Sequence, residues 1–272
     1  MRLLQYEVPL GISLTHQGVQ SIPAFVEAGF THFELGLPSR EGGRGEEEKL
    51  AGYARPFRDA LKEYGLCPWS MHLPFGAGWD IAHFDEQERL AVCASLKKLI
   101  DLTGNWGAKV YVLHGCLEPV AAEQRPIRVG RSIKSMQELD AHARRYGMRI
   151  ALENLPRSCL ANNAEETYAM MQAAGDPPIC FDVNHLLQED HATFLNRLAP
   201  YIMTTHLSDY DAVDERHWIA GRGVVPWRLL VERLQAAGYR GPYLFEIGPR
   251  PDKTPYSAVE VREAFRNAVE GN

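Results

Sequence analysis

The 272-residue sequence contains no run of about 18 apolar residues, so it offers no segment suited to crossing a membrane as a helix. Its amino-terminal stretch, LLQYEVPLGISL, has no basic start and is broken by Glu7 and Pro9, so no export leader is expected and the protein is read as cytoplasmic. No CxxC pair occurs. The five cysteines (Cys67, Cys93, Cys116, Cys159 and Cys180) are odd in number, which fits reduced thiols buried as small apolar residues rather than a disulfide framework. An excess of positive charge is also missing. The net charge of −6 argues against a protein that grips nucleic acid by a basic surface and favours a small, neutral or mildly anionic partner. There is no GxGxxG after a strand and no GxxxxGK[ST], which removes the fingerprints of nucleotide-binding open sheets. Finally, no proline- or serine-rich linker divides the chain, and its length suits one large α/β unit better than two small ones; a single domain over residues 1–272 is expected.

What is present is a repeat. In EAGFTHFELGL, EYGLCPWSMHL, NWGAKVYVLHG, RYGMRIALEN, AGDPPICFDVNH and AGYRGPYLFEIG, a helical pattern is stopped by glycine and followed by a β-rich run that ends in His, Asp or Glu. LAPYIMTTHLSD repeats it with proline in place of glycine, and LGISLTHQG supplies a first strand, making eight. Helical spacing fills the intervals: Val19, Ile22 and Val26; Leu50, Tyr53, Phe57 and Leu61; Val92, Leu96 and Leu99; Val129, Ile133 and Met136; and Leu229, Leu230 and Leu234 behind Pro226. Alternating strands and helices imply a parallel sheet, and eight units over this length predict a single (β/α)8 barrel, with a doubly wound open sheet as the alternative.

In such a barrel the carboxyl ends of the strands converge on one face, where active sites of this fold sit. Glu34, His72, His114, Glu153, Asp182, His206 and Glu246 all stand at or near the end of an apolar strand. Glu153, Asp182, His206 and Glu246 form an oxygen-rich set of the kind that holds Mn²⁺, Mg²⁺ or Co²⁺ with positions open for substrate oxygens. Four ionisable groups pointed into a barrel mouth are costly unless a cation or dense hydrogen bonding compensates them.

Through ALEN, FDVNH, HLSD, HWIAGRGVVPW and FEIG the sequence resembles the xylose isomerase-like barrel superfamily over nearly its whole length. That superfamily includes sugar isomerases and epimerases and, more distantly, endonuclease IV. The resemblance to the epimerase branch implies that Glu153, Asp182, His206 and Glu246 bind the metal, most often Mn²⁺, while Glu153 and Glu246 also move protons to and from a sugar-like substrate through an enediolate. It also implies substrate binding by His185. His217 stands where that branch carries an arginine, a departure that separates this chain from close ketohexose epimerases. The resemblance to endonuclease IV implies a different expectation: His72, His114, His185, Glu215 and His217 as further zinc ligands around the first four, serving phosphodiester hydrolysis.

The remaining candidates are weaker in pattern. His72, His114 and Glu34 are expected to line the pocket as hydrogen-bonding residues, with an internal ion pair as the alternative for Glu34. Phe75, Trp79, Tyr210 and Trp218 lie on segments expected to be loops and are candidates to cover a sugar ring. Arg157, Arg216 and Arg222 are candidates for a substrate phosphate or carboxylate, with plain surface roles as the alternative. SREGGRGEEEK after the second strand reads as a βα loop. Barrels of this kind often pair, so a homodimer is an expectation.

Overall fold

Eight short parallel strands hydrogen-bond side by side in a computed structural model that describes residues 8–271. The segment through Glu7, which carries most of the leader reading, lies outside the described residues. The strands are β1 (Leu10–Ser13), β2 (Phe30–Gly36), β3 (Ser70–His72), β4 (Val110–His114), β5 (Arg149–Glu153), β6 (Ile179–Asp182), β7 (Ile202–His206) and β8 (Tyr243–Phe245). Their order is β7-β6-β5-β4-β3-β2-β1-β8. The ring closes just past β7, where Leu207 bridges Phe245, the Leu207 amide donates to the Leu244 carbonyl at 2.8 Å and the Glu246 amide to the Leu207 carbonyl at 3.1 Å. The open-sheet alternative is thereby set aside.

Each strand is followed by one helix: α1 (Ile22–Glu27), α2 (Glu47–Glu63), α3 (Glu86–Thr103), α4 (Arg125–Ala143), α5 (Ala164–Ala173), α6 (His191–Leu198), α7 (Trp227–Ala236) and α8 (Ala258–Glu270). The glycine stops act as the sequence predicts. Gly107 before β4 and Gly147 before β5 have φ of 89° and 72°, a left-handed conformation that other residues adopt only at a cost. The EEEK end of the predicted loop differs from expectation. Glu47 and Glu48 form the first turn of α2, where acidic side chains face the positive end of the helix dipole, and buried Glu47 meets Lys98 at 3.2 Å.

Strand alternation splits the apolar residues in two. The large core lies between barrel and helices, whereas Val110, Val112, Ala151 and Cys180 form a small separate cluster. These are alternate residues of neighbouring strands, and on β4, β5 and β6 the next residue in the same alternation is His114, Glu153 and Asp182. The barrel lumen is thus apolar below and ionisable on top. Four cysteines are buried as expected; Cys67 is exposed, in the turn that leads into β3. Among the described residues no helix is long and apolar enough to cross a membrane.

Candidate metal centre and pocket

Neighbouring strands bring the polar ends into register: His114 lies beside Glu153, and Asp182 beside His206. The four residues first singled out converge. Glu153 Oε1 and Glu246 Oε2 each lie 3.3 Å from His206 Nδ1, and Asp182 Oδ2 lies 3.9 Å from it. One donor atom from each of the four falls within 4.8 Å of the others.

Further donors flank this quartet on both sides. His72 Nε2 and His114 Nε2 approach Glu153 Oε2 at 3.3 and 3.2 Å, and these three residues form a second group of the same compactness. On the other side, His185 Nε2 lies 3.6 Å from Asp182 and 3.4 Å from Glu215 Oε1, and His185, Glu215 and His217 form a third. Glu153 belongs to both of the first two groups. His185 sits in a tight 3-10 turn, Val183–His185, started by Asp182, whose carboxylate accepts the Asn184 amide at 2.7 Å.

Four of the five rings are oriented from behind. His72 Nδ1 donates to the Leu73 carbonyl at 2.9 Å, His185 Nδ1 to the Asn154 carbonyl at 2.8 Å, and His217 Nδ1 to the Glu246 carbonyl at 3.2 Å. Each thereby turns Nε2 toward the carboxylates. His206 is reversed: Nε2 donates to Glu34 Oε2 at 3.0 Å and Nδ1 faces the quartet. A hydrogen bond that fixes the tautomer of an imidazole is the usual support of a metal-ligating histidine. Glu34 therefore stands beneath the pocket floor, fully buried and also bonded to Ser70 Oγ at 2.8 Å. Of the two readings of Glu34, the structure places it in the internal pair.

The charges point the same way. Burial pushes the Asp182 carboxyl up to about 6, and its Oδ2 has no hydrogen-bond partner. Burial opposes the charge on Glu153 and Glu246 too, but His114 and His206 hold Glu153 well below the usual range, and His206 and His217 hold Glu246 at about 2. Conversely, burial works against protonated His72, yet its hydrogen bond and charge contact with Glu153 raise it to about 9. The three carboxylates thus draw positive charge onto the site, and Glu153 Oε2 still lacks an aligned hydrogen bond. Oriented imidazole nitrogens, orphaned buried oxygens and carboxylates that draw positive charge toward themselves together fit a divalent cation.

Above the cluster lies a cavity of about 280 Å³, reached by Phe75, Glu118, Arg157, Glu215 and His217 as well as the floor residues. Phe75 is exposed at the cavity and stacks on His114 with ring centroids 4.1 Å apart. Trp79 and Tyr210 are not: both are buried, and the Tyr210 hydroxyl donates to the Leu186 carbonyl at 2.7 Å. Trp218 carries Arg222 over its ring. The three arginines singled out are already engaged. Arg157 meets Glu118 at 2.5 Å and Asp214 at 2.7 Å, Arg216 meets Asp211 at 2.8 Å, and Arg222 donates to Tyr256 Oη at 3.1 Å.

Two positioning residues escaped the sequence reading. Asn154 imitates one more rung of sheet between β5 and β6: its side chain donates to the Asp182 carbonyl at 2.8 Å and accepts the Asp182 amide at 2.9 Å. Asp209 is buried, has no cationic partner among the described residues, and accepts from the amides of Tyr210, Gly221 and Val225 and from Trp227 Nε1, at 2.8–3.1 Å. It thereby ties down the loop that carries Glu215 and His217. Each stands in a short motif, ALEN and HLSD, but nothing local says that Asp209, three residues past His206, will gather amides.

Comparison with known proteins agrees with this architecture. A D-tagatose 3-epimerase-like protein superposes with a TM-score of 0.76 at 21% identity, covering 96% of this chain and 97% of its own. The 3-keto-D-glucoside 4-epimerase YcjR of E. coli gives 0.74 at 19% identity over 97% and 98%. A xylose isomerase-like TIM barrel protein from Mycobacterium smegmatis, solved in complex with magnesium, gives 0.68 at 16% identity over 97% of both chains. Likeness at these identities concerns the fold. The family description "Xylose isomerase-like TIM barrel" matches residues 22–267, nearly the whole chain, and the protein belongs to that family.

Proposed function

We propose that this protein is a divalent-metal-dependent isomerase or epimerase of a small sugar or related hydroxy-carbonyl compound. The observation that carries the reading is the convergence of Glu153 and Glu246 on one point, each 3.3 Å from His206 Nδ1, at the floor of a cavity sized for a small ligand. Glu153, Asp182, His206 and Glu246 would hold the cation, with Mn²⁺ preferred over Mg²⁺, Co²⁺ or Zn²⁺ for an oxygen-rich set. When bound, the cation polarises a carbonyl and stabilises negative charge developing on its oxygen.

The chain's own groups divide the remaining work. Glu246, the more accessible of the two, takes the proton from the carbon next to the carbonyl. Glu153 enters from β5 and returns a proton to the other face, or to the neighbouring carbon, so the same pair serves epimerisation and isomerisation. His185 and His217 are placed to hydrogen-bond substrate hydroxyls, and Phe75 covers the apolar face of the ring. The free cysteines and the chain's acidic balance suit the cytoplasm, and a homodimer is the assembly we expect.

The test is proton exchange. Candidate ketoses incubated in deuterated water with Mn²⁺ should gain deuterium at the carbon next to the carbonyl, and Glu246→Gln should lose at least about a hundredfold of that rate. Absence of exchange with every ketose tried, at full metal occupancy, sinks the reading.

One observation favours a second reading, hydrolysis of a phosphodiester on clustered zinc. The three donor groups overlap through Glu153 and the adjoining Asp182–His185 pair, giving room for more than one ion. Metal analysis separates the two. About one exchangeable ion per chain supports proton transfer; two or three tightly held Zn²⁺ per chain support hydrolysis.

A further inference from the structure

Beside the main cavity, across the wall made by His72, Phe75 and Glu246, a smaller lobe of about 90 Å³ opens between the loops after β1 and β2. Its outer wall is Thr15, Ser39 and Arg40. Because both lobes share His72, Phe75 and Glu246, a ligand lying over the quartet can extend into either. The side lobe is about a third the size of the main one, so it suits an end group rather than a second ring.

The charge state of the two lobes differs. Among the described residues lining them, the cationic side chains apart from histidine are Arg157 in the main lobe and Arg40 in the side lobe. Arg157 is saturated, with Glu118 at 2.5 Å, Asp214 at 2.7 Å and Glu215 at 3.3 Å. Arg40 is not. Its contacts are a long 3.5 Å approach to the Thr15 carbonyl and a 3.6 Å approach to the neighbouring Glu41, and its side chain is 56% exposed. The nearby Arg44, on the same loop, is held by Glu88 at 2.7 Å. The one carboxylate in the lobe, Glu246, is turned toward His206 at 3.3 Å. A guanidinium held only by these two long contacts, in a lobe also lined by Ser39 and by Thr15, whose hydroxyl pairs with Ser13 Oγ at 3.0 Å, and next to a reaction floor whose other arginine is neutralised, is an arrangement that suits a planar or tetrahedral oxyanion.

We propose that the side lobe is a subsite for an anionic end group of the substrate, a phosphate or a carboxylate, with Arg40 as its counter-ion and Ser39 and Thr15 as hydroxyl partners. The choice of substrate rests on the isomerase reading above; the existence of the subsite does not. Matched substrates test it: a ketose, its 6-phosphate and the corresponding keto-uronate, each followed by deuterium exchange with wild type, Arg40→Met and Arg40→Lys.

The expected result is a lower KM for one of the two anionic members than for the neutral one. Arg40→Met should raise that KM by about tenfold to a hundredfold, leave the neutral ketose unchanged, and be partly rescued by Arg40→Lys. Which anion gains identifies the end group. Equal effects of Arg40→Met on charged and neutral members, or no preference in wild type, overturn the proposal while leaving the isomerase reading intact. Should no ketose exchange at all, the isomerase reading falls and the subsite is decided by calorimetry with inorganic phosphate and with malonate: binding of either that is weakened at least about tenfold by Arg40→Met upholds the subsite, and no binding, or binding indifferent to the substitution, rejects it. Arg40 is exposed at a loop, so the variants should melt with the wild type, which a thermal scan verifies.

Discussion

At the scale of single residues, the site depends on side chains that never meet a ligand. Glu34 receives the Nε2–H of His206 and so commits Nδ1 to the quartet. Substitution Glu34→Gln keeps the volume but weakens that acceptor and allows the ring to flip. Mn²⁺ affinity should fall about tenfold to a hundredfold, the usual cost of losing a partner of a ligating histidine, while the melting temperature of the metal-free protein shifts little. Competition with a chromophoric chelator measures the first and calorimetric scanning the second. An unchanged affinity would show that packing alone orients His206. Away from the site, Asp140 offers a pH test. Burial raises the cost of its charge, but Arg149, the Ile150 amide and Arg144 outweigh that and hold its carboxyl below the ordinary range. With a depressed folded value, its contribution is present above the unfolded value of about 3.9 and is lost as pH falls through the folded one. Asp140→Asn should therefore cost about 2 kcal/mol at pH 7 and progressively less below about pH 4, read from urea midpoints across that range.

Elements set which of these residues were legible beforehand. The strand ends were, because a β-strand places its polar terminus by local alternation: VYVLH and RIALE put His114 and Glu153 at the lumen as a matter of period two. Glu34 was left between two readings because β2 runs two residues further, to Gly36, so a residue that looks terminal is one alternation step below the rim. The arginines were left between a substrate role and a surface role for another reason. Whether Arg157 is free depends on Glu118 and Asp214, which stand 39 and 57 residues away in sequence, and no local pattern reports such pairing. The β7–α7 loop shows the same limit. Asp209 accepts three of its backbone amides together with Trp227 Nε1 at the start of α7, and a Cβ on Gly223 would come 2.0 Å from the Tyr210 carbonyl, so the loop's path needs both residues. Asp209→Ala should destabilise the protein by on the order of 3 kcal/mol, through several buried donors left unpaired. Limited proteolysis should then cut between residues 211 and 225 faster than in wild type. Equal cleavage rates would mean that the strained His217 backbone, at φ 49°, and the Gly248–His217 hydrogen bond hold the loop unaided.

On the scale of the whole molecule, one end of the barrel carries an electrostatic load that the rest of the fold tolerates. Glu34, Glu153, Asp182, His72, His185 and His206 are all buried around the top of the lumen, their carboxylates and imidazoles in contact at 3.0–3.6 Å. Burying such a set is unfavourable, and its persistence is explained if the native state is the form that binds a cation while the unfolded chain binds it weakly. Linkage then gives a number. At a free Mn²⁺ concentration a hundred times its dissociation constant, the native state gains about 2.7 kcal/mol, and for a chain of this size that is a rise in melting temperature on the order of 5–10 °C. The rise should grow with the logarithm of metal concentration and be reversed by EDTA. It should shrink to about a third or less in Asp182→Asn, which removes one ligand charge but keeps the side-chain oxygen that starts the turn at Asn184. A scan series with EDTA, Mn²⁺, Mg²⁺ and Zn²⁺ at matched ionic strength separates this from general screening. If Mg²⁺ at millimolar concentration, Mn²⁺ and EDTA all give the same melting temperature, the lumen is stable by internal pairing and the quartet is not a metal centre. If Zn²⁺ alone raises it, and by a margin that survives loss of Asp182, the donors on the His72 and His217 sides are holding ions of their own.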